Sequence, residues 1–259
     1  MAIYDCFLFY DEFMLLDIRL AELGNTVDKF VLVESPFTFS GQPKGLFFSD
    51  AMPRYAKWKD KIVPLVSHPA IPDENRWNNE RNQRNALGDY LKDVCKSDDL
   101  VILTDADEII SRHVVESAAS SLGPGRLYMG MYYYFFNCKR PGYWPWPAFC
   151  RYDDFLRIFK GNAQCLRLSQ DSTPERIKDA GWHFSYIMSP ERISRKIGAF
   201  SHSEYDNPQC RNIQRIENCR RDHTDLFERS TQVYQTVPLD ELPEAIRSHP
   251  EQYSEFLTT

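Results

Sequence analysis

DDLVILTDADEIISRH, residues 98–113, carries an apolar and β-branched run, Leu100 to Thr104, straight into Asp105, Asp107 and Glu108. A continuous run of this kind fits a short strand buried on both faces, as in parallel sheets. In an open α/β sheet, ligands bind outside the carboxyl ends of the strands, so acidic residues at this tip mark a site. Asp105 and Asp107 are two residues apart, and side chains at that spacing in extended chain point the same way. Carboxylates aimed together repel unless a cation lies between them. Oxygen donors favour Mg²⁺ or Mn²⁺, which leave positions open for phosphate oxygens. The competing explanation is that DADE opens a helix, whose dipole acidic residues complement.

Upstream, strand and helix patterns alternate. AIYDCFLFY reads as a first strand, and DEFMLLDIRLAELGN as a helix with Phe13, Leu16, Leu20 and Leu23 on one face and Gly24 as its stop. KFVLVES is a buried strand; DKIVPLVS is an edge strand because of Pro64. RWNNERNQRNALGDYLKDVC is a helix. This alternation implies an α/β fold with a mostly parallel central sheet and helices on both faces. After Gly123 the pattern changes. RLYMGMYYYFFNC is a long aromatic strand, RPGYWPWPAF a stiff aromatic loop, and DFLRIFKG and AQCLRLSQ antiparallel strands. AGWHFSYI is a further strand, SPERISRKIGAF a helix starting at Ser189 or Pro190, and the tail from Pro238 a peripheral helix. We expect one domain over 1–259, with a nucleotide-binding half (about 1–125), an acceptor-side half (about 126–236) and a peripheral tail (237–259).

Composition narrows the function. The 259 residues carry a formal net charge of -6 and no basic block of the kind a nucleic-acid binder shows. No stretch approaches the roughly 18 apolar residues of a membrane helix. The start, MAIYDCFLFYDEF, lacks the basic region of a signal peptide. Seven scattered cysteines without a C-x-x-C pair fit reduced thiols, so the expected location is cytoplasmic. An aromatic content of 14% suits a sugar-stacking surface or a thick aromatic core.

Two enzyme classes place D-x-D at a strand end. Phosphohydrolases of the haloacid dehalogenase type want Thr or Val where Ile109 stands, and a G-D-x-x-x-D downstream; here GDYLKD (88–93) lies upstream in a helix. Nucleotide-sugar glycosyltransferases of the GT-A type use D-x-D to hold a metal on the donor diphosphate, and the order fits them better. Three stretches, AELGNTVDKFVLVESPFTFSG (21–41), TDADEI (104–109) and AGWHFSYI (180–187), resemble glycosyltransferase family 17. The resemblance implies a GT-A fold, UDP-N-acetylglucosamine as donor, a divalent Mn²⁺ or Mg²⁺, inversion at the anomeric carbon and a glycan or glycolipid acceptor. The membrane anchor and stem of the animal enzymes are not seen here, and the stretch 126–175 departs from theirs. A non-catalytic glycan-binding relative of the same fold is the alternative.

Roles follow from this frame. Asp107 is expected to coordinate the metal directly, and Asp105 through water or by holding the ribose. The family match to AGWH adds His183 as the closing metal ligand. Glu108 orients a basic side chain or the donor sugar, or else caps a helix. Glu34, at the end of the second strand, is placed to accept hydrogen bonds from uracil or ribose, with Phe9 and Tyr10 packing on the base. Arg84 faces the site from its helix to pair with the diphosphate or with Asp105. Lys196 or Arg195 neutralises the leaving phosphate. An inverting transfer needs a general base; AFSHSEYDNP supplies His202, Glu204 and Asp206, of which Glu204 is the first choice and Asp206 the second. Tyr143, Trp144 and Trp146, stiffened by prolines, form the expected acceptor platform.

Overall fold

The computed structural model describes residues 1–68 and 72–259. The chain runs β1 (Ile3–Leu8), α1 (Phe13–Leu23), β2 (Lys29–Glu34), α2 (Phe47–Ala51), β3 (Ile62–Val66), α3 (Arg76–Val94), β4 (Leu100–Asp105), β5 (Glu108–Ile110) and α4 (Arg112–Ser120). It continues with β6 (Gly125–Tyr133), β7 (Cys138–Trp144), β8 (Ala148–Arg151), α5 (Tyr152–Arg157), α6 (Ala163–Leu168), β9 (Glu175–Ser185), α7 (Pro190–Ala199), α8 (Ile213–Arg221), β10 (Gln235–Thr236) and α9 (Glu244–Ser248). The fold is α/β. β3, β2, β1 and β4 are parallel neighbours, with β3 at the edge, as Pro64 required. β8 then runs antiparallel between β4 and β6, and the sheet continues through β7 to β10, while β9 pairs parallel to β6 and antiparallel to β5.

Period-two alternation builds the core on both faces of the parallel half. Phe7, Phe30, Leu32 and Ile102 pack with Leu16 and Leu20 of α1 on one face. Cys6, Leu8, Val31, Val33, Val101 and Leu103 pack with Leu87 and Leu91 of α3 on the other. No helix of the described residues is long and apolar enough to cross a membrane.

Three expected elements differ. DFLRIFKG and AQCLRLSQ are helical, not extended: they supply α5 and α6. Tyr152 and Phe155 are both buried at a helical spacing, as are Ala163 and Leu166, and the Asn162 side chain accepts from Cys165 N to cap α6. RPGYWPWP is mostly strand, because β7 pairs antiparallel with β6 across a register shift at Gly130/Met131.

Gly181 on β9 sits at φ +142, and a Cβ there would lie 2.2 Å from the Ile109 carbonyl oxygen of β5. Only a residue without Cβ lets β5 and β9 approach so closely. We expect Gly181→Ala to destabilise the fold by about 2 kcal/mol or more, read as a lower denaturation midpoint at constant m-value. An unchanged midpoint would show that the strands part without cost.

Candidate functional site

The acidic turn is fixed from beneath by a side chain with no site signature. Arg19 of α1 is fully buried and donates to both Asp5 oxygens at 2.7 Å, to Thr104 Oγ1 at 3.0 Å and to the Asp105 carbonyl at 2.8 Å, and also reaches the Glu108 carbonyl. One guanidinium thereby holds the backbone on both sides of Asp107. β9 flanks the turn: Phe184 N donates to the Asp107 carbonyl at 2.7 Å, and His183 stands opposite Glu108 in the ladder.

Four charged networks meet above this base. Asp105 accepts from Arg84 at 2.7 Å on one oxygen and from Arg167 at 2.8 Å on the other. Burial alone would raise its pKa, but Arg167 and Arg84 outweigh that and hold it well below the usual carboxylate range. Glu108 is fully buried; Arg167 donates to both its oxygens at 2.7 and 2.6 Å, Trp144 Nε1 donates to one, and the Asp105 amide to the other. Asp107 accepts from Lys196 Nζ at 3.0 Å and faces His183 Nε2 at 3.6 Å. Its burial is likewise outweighed, chiefly by Lys196, so its pKa is lowered. Glu80 links Arg84, at 2.7 Å, to Ser201 Oγ, at 2.5 Å.

With all ionised, the five carboxylates Glu12, Glu80, Asp105, Asp107 and Glu108 are matched by five cations, Arg84, Arg167 and Lys196 with Lys44 and Arg229 on the cavity walls. Burial lowers the His183 pKa against the pull of Asp107 and Glu108, so the imidazole is neutral and able to ligate. Its Nδ1 is buried without a hydrogen-bond partner, and the Trp144 ring packs over it at 4.5 Å. Among the described residues no group of three His, Cys, Asp or Glu side chains is arranged to hold a metal ion. The expected trio of Asp105, Asp107 and His183 does not form such a cluster: two arginines occupy both oxygens of Asp105, while Asp107 and His183 face each other at 3.6 Å. Donors on one Mg²⁺-like ion stand about 3 Å apart, close to the Asp107–His183 separation of 3.6 Å. Asp107 and His183 would supply two protein donors to a dication, which would take its other ligands from water and phosphate.

Two cavities open onto this turn and share Phe39, Glu80, Arg84, Asp105, Asp107, Lys196 and Phe200. The smaller, about 170 Å³, is lined further by Phe9, Tyr10, Phe37, Lys44 and Gln83. The larger, about 400 Å³, is lined by Trp77, Trp144, Trp146, Arg167, His183, His202, Tyr205 and Phe227 among others.

The expected residues distribute unevenly over this geometry. Phe9, Tyr10, Arg84 and Lys196 line the smaller cavity. Glu34 does not: it is fully buried and accepts from Phe48 N, Ser49 N and Ser49 Oγ at 3.0, 2.9 and 2.6 Å. It holds the first turn of α2, which folds back over the strand end, so its expected place at uracil or ribose is corrected. Trp144 and Trp146 line the larger cavity, whereas Tyr143 lies on the opposite face of β7 and bonds Asp179 at 2.8 Å. Glu204 lines neither cavity and bonds His202 Nδ1 at 2.7 Å; Asp206 is held by Arg76 and Arg211 at 2.7 and 3.2 Å. Both expected bases are thus displaced from the cleft. Sequence reasoning missed Arg167, Glu80, Lys44 and Arg19. For Arg167 and Arg19 a signal existed: each is a lone arginine inside an apolar run, CLRL and LLDIRL.

The family model of glycosyltransferase family 17 matches residues 1–255. The β-1,4-mannosyl-glycoprotein 4-β-N-acetylglucosaminyltransferases of Homo sapiens and Rattus norvegicus are each 28% identical to this chain, with 75% of this chain and 42% of theirs covered. The chain therefore spans less than half the length of the curated relatives it matches. The crystal structure of HddC from Yersinia pseudotuberculosis is similar at a TM-score of 0.40 and 11% identity, over 72% of this chain and 91% of that one. With the family match running nearly end to end, the chain belongs to glycosyltransferase family 17.

Proposed function

We propose that this chain transfers N-acetylglucosamine from UDP-N-acetylglucosamine to a sugar hydroxyl, with inversion and with a divalent cation. The observation that carries the reading is the meeting of two cavities over one acidic turn. The smaller takes the nucleotide, with Phe9 and Tyr10 against the base and Lys44 toward the anionic groups. The larger takes the acceptor, whose sugar C–H faces lie on Trp144 and Trp146. Asp107 and His183 would hold Mn²⁺ or Mg²⁺, which supplies charge stabilisation for the departing diphosphate. Asp105 contributes indirectly by fixing Arg84 and Arg167 at the rim of the same site. Lys196, between Asp107 and Glu12, offers its ammonium to the phosphate at the seam of the two cavities. The choice of donor sugar rests on the relatives' names.

The test is release of UDP from a panel of UDP-sugars with and without Mn²⁺, with an aryl β-mannoside as acceptor. The expected result is Mn²⁺-dependent turnover with UDP-N-acetylglucosamine, lost on chelation. A protein that binds glycans but releases no UDP from any donor would sink the proposal in favour of a binding role.

A further inference from the structure

An inverting displacement needs a free basic lone pair on the acceptor side. Five side chains lining the larger cavity carry a carboxylate or imidazole: Glu80, Asp105, Asp107, His183 and His202. Four are engaged. Glu80 has one oxygen on Arg84 and the other on Ser201. Asp105 lies between Arg84 and Arg167, and Asp107 faces Lys196 and His183. His202 is different. Its Nδ1 stands 2.7 Å from Glu204 Oε1, and among the described residues its Nε2 has no hydrogen-bond partner. Trp77, Phe200 and Tyr205 surround the ring, with centroids 4.7, 5.5 and 5.8 Å away.

We propose that His202 is the general base of the transfer and that Glu204 positions it; this rests on the glycosyl-transfer reading above. A carboxylate on Nδ1 keeps that nitrogen protonated, leaves the lone pair on Nε2 and stabilises the imidazolium once formed. As the acceptor oxygen bonds to the anomeric carbon, its proton passes to His202 Nε2. The bond from that carbon to the phosphate oxygen breaks, and its electron pair leaves with UDP. The His202 side chain is 46% exposed, so the proton passes on to water before the next turnover. Glu204 enters the chemistry through His202 and not through the acceptor.

The experiment uses UDP-N-acetylglucosamine, Mn²⁺ and 4-nitrophenyl β-mannoside. His202→Ala should lose about 10²–10⁴-fold in kcat, with UDP affinity by calorimetry and thermal midpoint unchanged. Added imidazole should restore part of the lost rate. Glu204→Gln should lose less, with the same unchanged UDP affinity. Transfer by His202→Ala at the wild-type rate overturns the proposal, and so does a loss that imidazole does not relieve and that Glu80→Gln reproduces in full. Wild-type protein that releases no UDP from any donor defeats the transferase reading itself. A wild type that turns over while His202→Ala matches it defeats only the base.

Discussion

Asp107→Asn should reduce glycosyl transfer by at least about a thousandfold, because several kcal/mol of leaving-group stabilisation convert to that factor. The substitution keeps the shape of the side chain and removes its charge. Lys196 retains Glu12 at 3.6 Å, so the fold is not left with an isolated ammonium, and the thermal midpoint should move little. Mn²⁺-dependent binding of UDP, measured by calorimetry, should disappear, while binding without metal stays as weak as in the wild type. Unchanged Mn²⁺-dependent affinity in the variant would remove Asp107 from the metal. A companion His183→Ala should weaken the same binding if the two are ligands to one ion.

Arg167→Met should be the most destabilising single change at the site, by about 3–5 kcal/mol. It leaves the Glu108 carboxylate, fully buried, without its guanidinium, and takes one of two partners from Asp105. Trp144 Nε1 and the Asp105 amide remain on Glu108 but carry no full charge. The loss should depend on pH. In the wild type the lowered pKa of Asp105 contributes stability that is present above the unfolded value near 4 and lost as pH falls through the folded value. Removing Arg167 raises that folded value, so the gap between variant and wild type should narrow in acid. Denaturant titrations at neutral pH and at about pH 2.5, inside the window below the unfolded carboxylate value near 4, measure it; a small gap at neutral pH, or one that does not narrow at the acid pH, would show that the network relaxes around the lost cation.

The parallel half of the fold was legible because its strands are buried on both faces and its helices carry an apolar stripe. β1, β2, β4 and α3 needed only periodicity and stop signals. The tip of β4 stood out for another reason: carboxylates at 105 and 107 repel each other unless cations lie near them, and Arg84, Arg167 and Lys196 are the cations found there. The region between residues 145 and 172 was misread because α5 and α6 are two turns or less. Runs that short satisfy a strand pattern as well as a helical one, and only the Asn162 cap distinguishes them. That misreading hid Arg167, which reaches Asp105 and Glu108 because α6 turns it toward β4. Glu34 was misassigned because a strand-end carboxylate gives no sign of what folds back over it. Tyr143 and Trp144 looked equivalent in a loop, but on a strand neighbours face opposite ways, and only one reaches the cleft.

Arg19 clasps the peptide groups around Asp107 from below, while the walls of the larger cavity come from β7, α6 and the segment after α7. On the function proposed above, phosphate grip and saccharide choice draw on largely different pieces of chain, joined at Trp144, which donates to Glu108 and packs on His183. Swapping the stretch around Trp146 between cousins should redirect which glycan is modified without loosening the nucleotide's anchorage.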